Sequence, residues 1–96
     1  MPKRTIKDVK RIGADLKPTI HVGKDGVTDS LIEEVRLQVK TRKVVKIRLL
    51  PASGEEKDVI AKDISERSGA ILVDVRGSIV LLTQQDFLNG KGYIDL

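Results

Sequence analysis

Glycines at 23 and 26 bracket Lys24 and Asp25 in a four-residue loop, Gly23-Lys24-Asp25-Gly26. Glycine lets a backbone approach a ligand closely, and successive N–H groups beside a cation form a cradle for a phosphate. The loop is preceded by an alternating run, Thr19-Ile20-His21-Val22, that reads as a strand, and followed by Val27-Thr28-Asp29-Ser30-Leu31, which reads as a helix start. A helix N-terminus adds oriented N–H groups to the cradle. Other chemistry is poorly furnished. His21 is the lone histidine and there is no cysteine, so no thiol–imidazole pair exists. Glu55, Glu56 and Asp58 could imitate a magnesium site, but acids there favour the positive end of a helix. We therefore expect no catalytic residue, no metal and no cofactor, and a protein that is not an enzyme.

The elements that would position the loop follow from periodicity. A helix is predicted over residues 5–16, with Ile6, Val9, Gly13 and Leu16 on one stripe and Lys3, Lys7, Lys10 and Arg11 mainly on the other side. Lys17-Pro18 ends it. A second helix is predicted over 28–41, capped by Thr28 or Ser30, with Leu31, Ile32, Val35 and Val39 inward and Arg36, Lys40 and Lys43 outward. Residues 44–49 alternate as a strand and Pro51-Ala52-Ser53-Gly54 is a turn. A third helix over 55–68, with Val59, Ile60 and Ile64 inward, stops at Gly69. Residues 70–76 and 79–83 are strands joined by a Gly77-Ser78 hairpin turn. Residues 84–96, with Phe87 and Tyr93, read as a C-terminal tail without an assignable role.

Strands separated by helices run parallel, so the first three should share a direction and the last should oppose them. His21, Lys46, Arg48, Asp74 and Arg76 fall on the non-core phase of their strands, which leaves one sheet face at least partly open. The expected fold is an α/β two-layer sandwich in the order αβαβαββ, with a four-stranded mixed sheet. The loop then lies at the carboxyl end of the first strand, where open α/β sheets bind ligands. The hairpin turn at Arg76 is expected at that end, as is the start of the first helix if it packs antiparallel to the first strand.

Ninety-six residues with 40% apolar content support one domain around a modest core. The net charge of +4 is unevenly spread, and Arg36, Lys40, Arg42, Lys43, Lys46 and Arg48 form a run without acids. Such asymmetry suits a polyanion. No apolar stretch approaches the ~20 residues of a membrane span. The expectation is a cytoplasmic protein with no membrane partner, taken as a monomer.

Several short motifs follow one another in order: Leu16-Lys17-Pro18, the glycine loop leading into Val27-Thr28, Glu33, Val45-Lys46-Ile47, Arg67-Ser68-Gly69-Ala70, and Val75-Arg76-Gly77 followed by Ile79-Val80-Leu81-Leu82. On these, over residues 3–83, the chain resembles the CRM domain (chloroplast RNA splicing and ribosome maturation), above all its free-standing YhbY-like form. The resemblance implies a fold similar to the C-terminal domain of translation initiation factor three. It also implies RNA binding through the GxxG loop and neighbouring bases, around large-subunit ribosome precursors or other structured RNA. Where that family's last strand often closes on Tyr-Arg, this one closes on Leu82-Thr83.

The expected RNA contacts are Gly23, Lys24, Asp25 and Gly26 with Lys3, Arg4, Lys7, Lys10, Arg11, Lys17 and Arg76. Asp25 serves the turn or the helix end, since a carboxylate repels phosphate. Arg36, Lys40, Lys43, Lys46 and Arg48 are secondary candidates. The strands carry no aromatic platform for bases, so recognition of backbone and shape in structured RNA is expected. The rival readings are a small basic DNA- or chromatin-binding protein, such as the archaeal Alba family, and a protein-interaction module of an RNA-processing complex.

Overall fold

The computed structural model describes residues 3–23, 25–50 and 56–90. Lys24, the expected turn at 51–54, Glu55 and Tyr93 lie outside them. The elements are α1 (Ile6–Ala14), β1 (Ile20–Val22), α2 (Asp29–Arg42), β2 (Val44–Leu49), α3 (Lys57–Ser68), β3 (Ile71–Arg76), β4 (Ile79–Thr83) and α4 (Gln85–Leu88). The order predicted from periodicity is thus present, with one short helix added.

Local chemistry sets the helix ends. Thr5 caps α1 by accepting from the Asp8 N–H at 3.1 Å, and the Thr5 N–H donates to Asp8 Oδ2 at 2.9 Å, completing a capping box. Of the two candidates for α2, Thr28 is the cap, accepting from the Leu31 N–H at 3.1 Å. Gly69 ends α3 in the left-handed region at φ 78°. The turn from α2 into β2 instead places Lys43, a non-glycine, at φ 71°. Three contacts hold it there: its N–H donates to Val39 O at 3.0 Å, its carbonyl accepts from Thr83 Oγ1 at 2.8 Å, and its ammonium meets Asp86 at 3.1 Å.

The sheet order is β1-β2-β4-β3. β1 and β2 are parallel, while β4 is antiparallel to both β2 and β3. The first three strands therefore share a direction, as expected, with β4 inserted between β2 and β3. β1, three residues long, pairs only with β2 at the sheet edge. A bulge interrupts β3: Leu72 pairs with Leu82 and Asp74 with Leu81, leaving Val73 as the extra residue.

Two apolar clusters lie on opposite sheet faces. Val45, Ile47, Leu49, Val80 and Leu82 meet Ile32, Val35 and Val39 of α2 and Ile60, Ala61 and Ile64 of α3. Burying each Val, Leu or Ile of this set is worth about 1.5–3 kcal/mol. On the other face Val44 and Leu81 meet Val9 of α1 and Phe87 of α4. The sandwich is thus two-layered at α2 and α3 and gains a partial third layer under α1 and α4. Two local expectations change. Val59 is 56% exposed and Ala61 takes the inward place, because the buried stripe of α3 is Ile60, Ala61 and Ile64. The segment after Thr83 begins with structure: Phe87 is fully buried.

Candidate nucleic-acid interface

α1 lies across the sheet with its basic side along a groove of about 430 Å³. Lys7, Lys10 and Arg11 form one wall, Lys46 of β2 and Asp74 and Arg76 of β3 the other, and Gly13, Ala14, Ile79 and Leu81 supply apolar surface. Gly13 sets the depth of the contact. A Cβ there would stand 2.7 Å from Leu81 Cδ1, so glycine lets α1 settle closely on β4. Beyond Lys46, a second groove of about 330 Å³ is lined by Leu16, Lys17, Thr19, Thr41, Arg42 and Val44. Lys46 borders both and donates from Nζ to Leu16 O at 3.0 Å. The helix-1 bases, Lys17, Lys46 and Arg76, scattered in sequence, thus share one face of the molecule.

The glycine loop leaves β1 at the sheet end expected for it. The Gly26 N–H donates to Gly23 O at 3.0 Å, closing the turn, and Gly26 has φ 72°, which favours glycine. Asp25 is exposed. Leu50 N–H donates to Val22 O at 2.9 Å and Leu49 N–H to Ser78 O at 2.7 Å. These bonds bring the loop, the end of β2 and the Arg76-Gly77-Ser78 turn to the same end of the sheet, as expected.

Sequence reasoning gave Arg67 no role, yet it secures the exit of the loop. Its guanidinium donates to Val27 O at 3.3 Å, to Asp29 Oδ1 at 2.8 Å and to Asp63 Oδ2 at 3.3 Å. Only the i,i+4 spacing to Asp63 was visible in the chain. Arg42, in the basic run but not singled out, joins the second groove.

Other candidates are placed differently. The start of α1 does not point to the loop end. Arg4 N–H donates to Leu88 O at 2.8 Å, beyond the far end of β4. The Arg4 guanidinium lies 4.0 Å from the Phe87 ring centroid and donates to Phe87 O at 2.9 Å, so this cation braces α4. Lys3 precedes it and is exposed. Arg36 is paired with Glu33 and donates to Arg67 O at 3.0 Å, and Lys43 is occupied by Asp86. Lys40 and Arg48 are exposed.

Two carboxyls sit below their ordinary range. The Asp8 carboxylate is favoured by the Thr5 backbone N–H and then its hydroxyl. Burial disfavours the Asp86 carboxylate, but hydrogen bonds from Lys43 and Gln84, the Lys43 charge and the Phe87 N–H outweigh it. Both belong to structural contacts. His21 is exposed, and no group of three or more His, Cys, Asp or Glu among the described residues could hold a metal. No described helix is long and apolar enough to cross a membrane.

Comparison with known proteins agrees with the fold and with the family resemblance. The chain is 29% identical over 70 residues to the Bacillus subtilis protein named Probable RNA-binding protein YqeI, covering 73% of each. It is 24% identical over 80 residues to Probable RNA-binding protein PA4753 of Pseudomonas aeruginosa, covering 83% of this chain and 77% of that one. It is 37% identical over 67 residues to the chloroplastic CRM-domain containing factor CFM2 of Arabidopsis thaliana, 70% of this chain but 7% of that larger protein. The solution structure of hypothetical protein SAV1595 from Staphylococcus aureus superposes with a TM-score of 0.69 at 23% identity, over 84% of this chain and 88% of that one. The family model of the CRS1 / YhbY (CRM) domain matches residues 1–83, and the chain belongs to that family.

Proposed function

We propose that this protein binds structured RNA, holding its backbone between the 23–26 loop and the basic groove under α1, without catalysing a reaction. The observation that carries the reading is the juxtaposition of Lys7, Lys10, Arg11, Lys46 and Arg76 along one groove. Its Arg76 end shares a sheet end with a loop whose glycine backbone is open to a phosphate. Groove cations supply salt-sensitive affinity, while Gly23, Gly26 and Lys24 fix the register of one phosphate. The RNA-binding names of the YqeI and PA4753 relatives support RNA as the polyanion. The RNA is a ribosomal precursor, and the setting large-subunit assembly in the cytoplasm.

Titration of a structured RNA and a duplex DNA at matched salt tests the reading. Tighter binding to RNA is expected, and tighter binding to duplex DNA overturns it. Combining Lys7→Glu with Lys24→Glu should cripple RNA binding; retained affinity would transfer the function to a protein-docking face. Crosslinking in the native cell should recover precursor ribosomal RNA. Recovery of only tRNA or messenger RNA would refute the assembly role.

A further inference from the structure

Asp74 stands in the wall of a groove otherwise built for polyanions, and its position is a product of the β3 bulge. Leu72 and Val75 pack on the α2/α3 side of the sheet, whereas Val73 packs on the α1 side and Asp74 lines the groove. Two successive residues, Val73 and Asp74, therefore face α1, and the bulge has shifted the alternation by one. In an unbroken strand Asp74 would share the face of Leu72. Bulges re-aim side chains in this way beside functional sites.

The carboxylate is also oriented. Asp74 Oδ1 accepts from the Val75 N–H at 2.9 Å and Oδ2 lies 3.2 Å from Arg76 Nε. Each oxygen keeps a further lone pair. Its aspartate charge would repel a phosphate, so the ligand group that it suits is a hydrogen-bond donor. In RNA such donors are the ribose 2′-hydroxyl and the base edges, and only a base edge sets two donors side by side to meet both oxygens. Ile79, Leu81, Gly13 and Ala14 offer apolar surface to a ring, and Arg76, 84% exposed, can lay its guanidinium plane on one. The groove volume falls in the about 300–1,000 Å³ range of small-ligand sites.

We propose that this groove reads one unpaired guanine of the bound RNA, with Asp74 accepting from its N1–H and N2–H. The inference rests on the RNA-binding reading and adds base specificity to it. Guanine alone presents two adjacent donors that match the two oxygens of a carboxylate. Adenine and cytosine set one amine beside a ring acceptor, and uracil sets one N–H between two carbonyls; each turns a lone pair toward Asp74. Lys7, Lys10 and Arg11 then take the phosphates flanking the extruded nucleotide.

The test is selection of hairpin RNAs with randomised loops by the full chain, followed by affinity measurements on the winners. Their enriched loop base is varied as guanine, inosine, adenine, cytosine or uracil. Guanine should bind about tenfold or more tighter than adenine, cytosine or uracil, with inosine between because it lacks the N2 amine. Asp74→Asn should abolish the preference while leaving other loops bound equally or more tightly, since it removes a negative charge from a basic groove. Asp74→Ala, with Arg76 intact, should do the same. Equal affinity for all five bases in the wild-type chain overturns the inference while leaving RNA binding intact. So does an equal gain for every base in Asp74→Asn. Failure of every RNA to bind removes the RNA-binding reading and this inference with it.

Discussion

Replacing Phe87 by alanine tests whether the segment after β4 is part of the domain and whether α1 is held in place from below. Phe87 is fully buried against Val9, Val44 and Leu81, with Ile12, Val73 and Leu88 around it. Truncating a buried phenylalanine costs about 3–5 kcal/mol, according to how far the site collapses. α4 is one short turn and can settle inward, so about 3 kcal/mol is the expectation. The Arg4 guanidinium over the ring contributes about 0.5–1 kcal/mol more. Against a total of roughly 5–15 kcal/mol for a domain this size, the loss is large. At about 4–8 °C per kcal/mol, the thermal midpoint should fall by more than about 12 °C. Urea and thermal unfolding followed by circular dichroism would measure it, with Phe87→Leu as a volume-sparing control costing about 1 kcal/mol. RNA affinity of Phe87→Ala, measured well below its midpoint, should also fall, because α1 loses its anchor although every groove cation remains. A change within about 0.5 kcal/mol of wild type, the range of ordinary surface substitutions, would refute the packing argument. So would an unchanged midpoint after removal of residues 84–96.

Gly26→Ala should cost about 1 kcal/mol by unfolding, because φ 72° is unfavourable for alanine although space is open around it. Gly23→Ala, whose nearest neighbour would be Leu50 Cδ1 at 4.0 Å, should leave stability unchanged and weaken RNA binding where a phosphate packs on the backbone. Equal RNA affinity in Gly23→Ala would exclude that close approach. Lys10→Gln should weaken RNA binding alike across sequences and reduce the salt slope by about 1; an unchanged slope removes Lys10 from the contact. Asp8 and Asp86 both have lowered pKa values. The stability they add is present above the ordinary carboxylate pKa of about 3.9 and is lost as pH falls through their lower folded values. Thermal scans across that window should show a shallower acid decline for Asp8→Asn combined with Asp86→Asn, and an undiminished decline would contradict the assignment.

The elements were legible because their punctuation is local. Pro18, Gly69 and Gly77 mark ends, and the alternation of β2 separates its two faces. The loop's place at a strand end followed from direction alone. Neighbour relations were not legible: βαβ spacing gives the direction of β3 but not that β4 slips between it and β2. The bulge was hidden because Asp74 and Arg76 look like the polar phase of a regular strand, and only pairing with β4 exposes Val73 as extra. Phe87 could not be placed because Val9 and Val44, which close the pocket around it with Leu81, are distant in sequence. Basic residues in sequence look alike, and only geometry separates Arg4 and Lys43, tied to α4, from Lys7 and Lys10 along the groove.

The glycine loop hangs from the weakest strand of the sheet. β1 is three residues long, pairs on one side only, and is pinned chiefly by Ile20 and Val22. Peeling it away exposes two aliphatic side chains, an opening of about 3–6 kcal/mol that leaves the β2-β4-β3 core intact. Amide protons of residues 20–23 should therefore exchange by a sub-global route, ahead of those in β2 and β4. RNA that grips the loop would close this route, so protection at β1 on binding would report the engagement of the loop without any probe on the RNA itself.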